Sequence, residues 1–286
     1  MTSGQKDTKN YSGKTKVNIS IFAKQPMRLG RDRHLGRVSS IIRGNQIAEY
    51  IGAKLNPETG YENDVCIYVK PMHQDHIKDG SYIDLLDDLY AYERIKDRPG
   101  IKAIAMSLSH FEFLKRELKN EVVLIPHHHV NFERALRKRR KITTAGYVGV
   151  NNPKHRAINR GVKEALGTIN LDFIPLFLFQ IRQDIIDYYK KIDIQVIGYF
   201  DHEDVPFYHP TKIINAASFG IPTVAGRRLG YEEFENFYIP VNNMEELLIE
   251  VEKLKDPKYY KKWSTKIIRE AEKYHISKIA KLYKQL

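Results

Sequence analysis

Short apolar runs alternate with segments of helical periodicity along most of this 286-residue chain. In the first half, four runs have the length and β-branched content of buried strands: residues 16–24, 64–70, 101–107 and 121–126. Between the first two runs, apolar positions from Ser39 to Ile51 follow helical spacing and stop at Gly52, which predicts a helix. Strands alternating with helices predict a parallel sheet covered on both faces.

The second half of the chain repeats this order. Its predicted strands are residues 142–149, 171–179, 193–199 and 221–225, and its predicted helices are residues 154–166, 181–190, a segment from Met244 onward, and 259–286. The basic run 137–141 contains no apolar residue and separates the two halves. The sequence therefore predicts a flexible leader, two Rossmann-like α/β domains and a terminal helix, with bounds at residues 1–15, 16–138, 139–258 and 259–286.

The segment from Tyr208 to Gly226 is the most informative part of the chain. Pro210 and Thr211 predict a loop that ends in a helix N-cap, and Gly220 predicts the helix stop. The helix between them buries an apolar face and places polar side chains near its positive end: Thr211, Lys212 and Asn215. The amino end of a helix attracts anions, so this segment predicts an anion-binding site.

This segment also resembles the donor-binding element of GT-B glycosyltransferases, in which a small-residue helix runs into a Gly-x-Pro turn and a buried strand. Here the turn is Gly220-Ile221-Pro222. The order of predicted elements resembles that fold over nearly the whole chain, and the resemblance is to families 1 and 4 without assigning one. It implies two doubly wound domains that face a cleft, with the C-terminal helix packing back on the N-terminal domain.

The resemblance implies a glycosyltransferase that uses a nucleotide-diphosphate sugar as donor and needs neither a cofactor nor a metal ion. It implies that the C-terminal domain binds the donor through phosphate, ribose and sugar contacts. The residues implied are Gly149, Asn151, Lys154, Arg156, Tyr208, Thr211, Lys212, Asn215, and Glu232 or Glu233. Solvent-exposed glutamates at a helix start are the alternative for the last two.

The N-terminal domain is expected to supply the acceptor side of the site. Acceptor-binding candidates occur where the first strand passes into a helix: Arg37, Ser39 and Ser40. Arg43 is a candidate clamp for a phosphate on the acceptor or the donor. His127 and His129 follow a predicted strand and are candidates for the catalytic base, because imidazole titrates near neutral pH. Alternation along extended chain places these two on one side and His128 on the other.

Three adjacent histidines are also compatible with structural hydrogen bonding or with a zinc ion. No cysteine or carboxylate set at metal-ligand spacing accompanies them, so no metal site is predicted. The sequence contains no P-loop, no G-x-G-x-x-G and no nucleophile elbow, which disfavours kinases, dehydrogenases and hydrolases.

The chain carries a formal charge of +12, concentrated around residues 28–43, 134–141 and the C-terminal helix. Such a charge favours an anionic partner, although solvated lysines explain it equally well. The single cysteine, Cys66, and the absence of a long apolar stretch indicate a cytoplasmic protein, and the basic charge leaves open a peripheral location at a membrane or on nucleic acid. The acceptor classes left open are a glycan precursor, a lipid-linked glycan and a hydroxylated DNA base. The alternative function is an inactive GT-B-like module that binds a polyanion or nucleic acid.

Overall fold

The computed structural model describes residues 18–24, 27–29, 34–36, 38–71, 77–149, 153–200, 209–228 and 230–286. The first half contains eight strands: β1 Ile19–Ala23, β2 Met27–Leu29, β3 His34–Gly36, β4 Lys54–Leu55, β5 Val65–Val69, β6 Tyr82–Asp84, β7 Lys102–Ala105 and β8 Val122–Leu124. Six of them form a parallel sheet in the order β4–β1–β5–β6–β7–β8, and β2 pairs with β3 as an antiparallel ribbon.

The second half forms a separate parallel sheet of five strands. These are β9 Thr144–Val148, β10 Asp172–Leu176, β11 Ile194–Ile197, β12 Thr223–Gly226 and β13 Ile239–Val241, in the order β10–β9–β11–β12–β13. All of their pairings are parallel. Both sheets follow the predicted alternation of strand and helix, and they confirm the two-domain α/β architecture.

Nine α-helices are described: α1 Gln46–Ile51, α2 Leu89–Ile95, α3 Leu108–Glu117, α4 Pro153–Gly167, α5 Arg182–Tyr189, α6 Thr211–Ser218, α7 Met244–Lys253, α8 Pro257–Ala271 and α9 Ile276–Tyr283. A π-helical segment, Ser40–Asn45, precedes α1. Gly44 lets this segment pack directly on β1, because a Cβ atom there would lie 2.4 Å from the Cβ of Ala23. Gly52, with φ of 71°, ends α1 in the left-handed conformation, as the sequence predicts.

The last two helices pack on different domains. In α8, Tyr260, Ile267 and Ala271 belong to the core around the second sheet. In α9, four residues belong to the core around the first sheet: Ile276, Ile279, Ala280 and Tyr283. The terminal helix therefore packs back on the N-terminal domain, which confirms that part of the fold prediction.

A single helix over residues 259–286 was a wrong prediction. The chain leaves α8 through a 3₁₀ turn, Glu272–Tyr274, and His275 begins α9 by accepting a hydrogen bond from the backbone N–H of Ser277 at 3.1 Å. The chain thus crosses between the domains a second time near His275; the first crossing follows β8. Two hydrogen bonds join the two crossings: His129 N–H donates to the Tyr274 oxygen at 3.0 Å, and His275 Nε2 donates to the Phe132 oxygen at 2.9 Å. The helix breaks because the chain must turn from one domain onto the other.

The basic run 137–141 lies between the domains and is partly structural. Arg137 is largely buried and pairs with the fully buried Asp193 at 2.8 Å, and Arg139 approaches the same carboxylate at 3.4 Å. Asp193 also accepts the backbone N–H groups of Thr143 and Thr144. Two of the cations in this run are thus engaged in fixing the start of β9. Within the described ranges, no helix has the length and apolar character needed to cross a membrane.

Candidate functional site

A cavity of about 480 Å³ lies between the two domains. Its lining includes Lys70 and Gly149, which directly follow β5 and β9, and Asp87 and His127, which lie in the loops after β6 and β8; His209 lines it from the segment before α6. The carboxyl ends of the strands in the two sheets therefore meet at this cavity. Ligands of open parallel sheets bind at this edge, so the cavity is the candidate site.

Lys212 is the cation of the second domain that lines this cavity at the start of α6. Its Nζ atom lies 5.7 Å from the centre of the Tyr147 ring. Burial, and to a smaller extent the charge of Arg228, lowers the pKa of Lys212 to about 8. No carboxylate of the described chain offsets these two effects. A half-buried lysine that lacks an acidic partner is well suited to bind an anionic ligand.

Thr211, Asn215 and Gly149 line the cavity beside this lysine, so the structure brings four predicted donor residues together. Asn215 is nearly buried, and its Oδ1 accepts the backbone N–H of Val130 at 2.9 Å. Gly149 is required by packing, because a Cβ atom there would lie 2.2 Å from the hydroxyl of Tyr147. Pro210, not Thr211, occupies the N-cap of α6, so Thr211 is the first helical residue and that detail of the prediction was wrong.

A chain of hydrogen bonds crosses the cavity from one domain to the other. His127 Nε2 lies 2.9 Å from His209 Nδ1, and His209 Nε2 lies 3.3 Å from Asp87 Oδ1. Lys70 pairs with the same Asp87 oxygen. Burial by itself raises the pKa of Asp87, but the hydrogen bond from His209 and the charges of His209 and Lys70 outweigh it and lower that pKa well below its usual range. Asp87 is therefore an ionised acceptor at neutral pH.

The three consecutive histidines have three different environments. Only His127 lines the cavity; burial, and then the charge of Arg43, lowers its pKa well below the ordinary value. His128 Nε2 bonds to Gln46 Oε1 at 2.9 Å. The ring of His129 packs against that of His275, with 5.4 Å between ring centres, and burial lowers its pKa to about 3. The predicted placement of His127 and His129 on one side therefore does not bring His129 to the cavity.

Arg43 lies outside the cavity lining and is fully buried. Its Nε donates to Asp84 at 2.6 Å, and its Nη1 donates to the backbone oxygens of Ile125 and Pro126 at 2.8 and 2.7 Å. These bonds hold the segment that leads into His127, which makes Arg43 a positioning residue in this structure. Of the two neighbouring serines, Ser39 lines the cavity and Ser40 is buried.

The remaining donor candidates do not line the cavity. Glu233 accepts the backbone N–H of Leu108 at 2.8 Å and so caps α3 of the other domain. Glu232 accepts the N–H of Gly230 at 2.6 Å. Lys154 and Arg156 lie in the exposed first turn of α4. The roles of these four residues remain predictions.

Three predicted site residues lie outside the described residues: Arg37, Asn151 and Tyr208. Sequence reasoning missed His209 and Asp87. His209 directly precedes Pro210 and the α6 segment, so its position beside the anion site was a usable signal. Asp87 belongs to a loop after β6, a strand of only three residues that periodicity does not detect.

No protein-family model and no curated protein matches the sequence of this chain. Solved structures match it by fold. A glycosyltransferase from Rickettsia africae matches with a TM-score of 0.59 and 11% identity, covering 95% of this chain and 97% of that one. AviGT4, a glycosyltransferase involved in avilamycin A biosynthesis, matches with a TM-score of 0.53 and 9% identity, covering 94% and 96%.

A variant of TarM from S. aureus, crystallised with fondaparinux, α-GlcNAc-glycerol and UDP, matches with a TM-score of 0.55 and 14% identity. This match covers 80% of the present chain and 51% of TarM, so the chain spans about half the length of that protein. At these identities the likeness concerns the fold. The chain has the two-domain GT-B fold.

Proposed function

We propose that this protein is a glycosyltransferase that moves a sugar from a nucleotide-diphosphate donor to an acceptor hydroxyl. The observation that carries the proposal is Lys212, a half-buried cation at the amino end of α6, which lines the interdomain cavity and whose pKa is lowered to about 8. A diphosphate supplies the negative charge that this lysine lacks within the described chain. The fold supports this proposal, because the TarM variant, which this chain resembles in fold, was crystallised with UDP and α-GlcNAc-glycerol.

Donor binding is assigned to the second domain. Lys212 and the N–H groups at the start of α6 bind the phosphates, the amide of Asn215 adds a donor, and Gly149 lets the backbone approach them. In the reaction, the bond between the anomeric carbon and the phosphate oxygen breaks while the acceptor oxygen bonds to that carbon. The electron pair leaves with the nucleoside diphosphate, whose negative charge Lys212 stabilises without a resident metal.

The acceptor proton is assigned to His127. With neutral imidazoles, the ionised Asp87 accepts the Nε2 proton of His209, and His209 Nδ1 accepts the Nε2 proton of His127. His127 then carries its lone pair on Nδ1, a buried atom that has no hydrogen-bond partner among the described residues, so a hydroxyl reaches it only when the surrounding side chains move. The chain from Asp87 fixes this tautomer, and so prepares His127 Nδ1 to accept the proton of a hydroxyl that reaches it.

Thermal unfolding in the presence of UDP-, GDP-, ADP-, TDP- and CMP-sugars tests the donor site. Each shift is measured against the same variant without ligand. We expect one nucleotide family to stabilise the wild type and Lys262→Ala, which alters an exposed lysine of α8, but not Lys212→Ala. If no nucleotide sugar stabilises the wild type, the donor-site assignment is wrong. Donor binding without transfer to water or to any hydroxyl acceptor would instead favour the inactive, anion-binding module.

A further inference from the structure

Most polar side chains on the acceptor side of the cavity are already bonded within the protein. The bonded pairs are Gln46 with His128 and Lys70 with Asp87. His127 and His209 are bonded to one another. The described part of this wall therefore offers few free groups to a ligand with many hydroxyls, because each such hydroxyl needs a partner when it leaves water.

Apolar side chains from both domains fill the space between these polar groups. The helical segment between β3 and α1 contributes Val38, Ile41 and Ile42, which have the spacing of one helix face. The second domain contributes Phe179, Ile181 and Ile185. The lining of the same cavity thus combines polar side chains, among them His127 and Lys212, with apolar side chains from both domains.

The apolar wall of the second domain continues onto the outer surface. Ile181 is 61% exposed and Leu178 is 50% exposed. Ile181 is also the N-cap of α5, a position where serine, threonine, aspartate or asparagine is preferred. The carboxylate of Asp184 compensates by accepting the N–H groups of Gln180 and Ile181 at 2.7 and 3.1 Å. Ile181 lines the cavity and is also exposed at the surface, so an apolar ligand that leaves the cavity on this side would cover it.

We propose that this cavity binds an acceptor whose hydroxyl is attached to an alkyl chain. This inference rests on the proposed function, and it names the substrate class of the same site. The hydroxyl lies at His127, the chain lies between the wall at Ile42 and the wall at Ile185, and it leaves the cavity over Ile181. Such a ligand leaves no hydroxyl without a partner along the apolar walls. The geometry disfavours the phosphate backbone of DNA and long unsubstituted glycans as acceptors.

Calorimetric binding of 1-alkanols, from butanol to octanol and below their solubility limits, tests the inference on the full chain. We expect affinity to rise by up to about fourfold for each added methylene, because each one leaves water for an apolar wall. Ile181→Asn should flatten this dependence. Ile249→Asn is the matched control, because Ile249 is a 49% exposed isoleucine of α7 and is absent from the cavity lining.

Equal affinities for butanol and octanol would overturn the inference, as would an equal loss of chain-length dependence in both variants. Nucleoside diphosphates, titrated into the same samples, report the donor site separately. Stabilisation by a diphosphate without any chain-length dependence would leave the proposed function intact and remove the alkyl site. A chain-length dependence without diphosphate binding would keep the apolar site and remove the donor assignment. Vesicles with and without octadecanol then distinguish two kinds of acceptor. An acceptor held in a membrane recruits the protein to the vesicles, and a free acceptor does not.

Discussion

Replacing Lys212 by methionine should stabilise the ligand-free protein. The wild type keeps a charged amine in a cavity where burial and Arg228 lower its pKa from 10.5 to about 8. At about 1.36 kcal/mol for each tenfold change in proton affinity, this fall corresponds to roughly 3 kcal/mol. Because the side chain is partly exposed to the cavity, solvent screening reduces that figure, and we expect about 2 kcal/mol near neutral pH. Methionine has nearly the same length and carries no charge.

The pH dependence of this stability difference shows whether the charge of Lys212 causes it. Below about pH 8, Lys212 is charged in both the folded and the unfolded chain, so the full cost applies to the wild type. Between about pH 8 and 10.5 the folded chain loses this proton while the unfolded chain keeps it, so wild-type stability rises relative to the variant. The advantage of Lys212→Met should therefore be largest near neutral pH and should shrink towards pH 10.5. Urea unfolding of both proteins across this range measures it.

A nucleoside diphosphate should reverse the order of stability. At a concentration of 100 times its Kd, a ligand that binds only the folded state adds about 2.7 kcal/mol, and the methionine variant should gain much less. The refuting result is a methionine variant that is no more stable than the wild type at pH 7 and that responds equally to the diphosphate. It would show that Lys212 does not bind the anion and that its charge does not destabilise the folded protein.

Three further predictions concern the surroundings of the site. Gly149→Ala should destabilise the protein by about 1 to 3 kcal/mol in urea unfolding and weaken donor binding, because the fully buried Tyr147 cannot move away from the new methyl group. Arg43→Leu should cost about 3 to 5 kcal/mol, since it leaves a buried carboxylate unpaired; a variant of normal stability that loses only acceptor binding would contradict this. Four buried histidines have lowered pKa values, so the unfolded chain takes up more protons below pH 6.5, and stability should fall there by up to about 1.4 kcal/mol per pH unit for each histidine. Thermal unfolding between pH 4 and 7 measures that slope.

Elements with strong local patterns could be predicted from the sequence. The β-branched runs gave β1, β5 and β9 to within a few residues, and the small-residue helix with its glycine stop gave α6. The grouping of Thr211, Lys212 and Asn215 at one cavity followed from the amino end of that helix. In these segments the local pattern and the tertiary packing favour the same conformation.

Contacts between distant segments could not be predicted. The bond from His127 to His209 joins residues 82 positions apart, and the bond from Arg43 to Asp84 joins residues 41 apart. The strand β13 has only three residues, too few to show a period of two. His129 was expected beside His127, but its backbone N–H bonds to Tyr274. No local sequence pattern predicts that the segments of His129 and Tyr274 meet.

The two segments that pass between the domains are bonded to one another, through His129 to Tyr274 and through His275 to Phe132. Two connections that meet at one place act as a single pivot. Opening of the domains is therefore restricted to rotation about an axis near this pivot, and the side of the cavity furthest from it moves most. Cleavage of the chain at either crossing would leave the domains joined by the other, so a nicked protein should remain in one piece during gel filtration under native conditions.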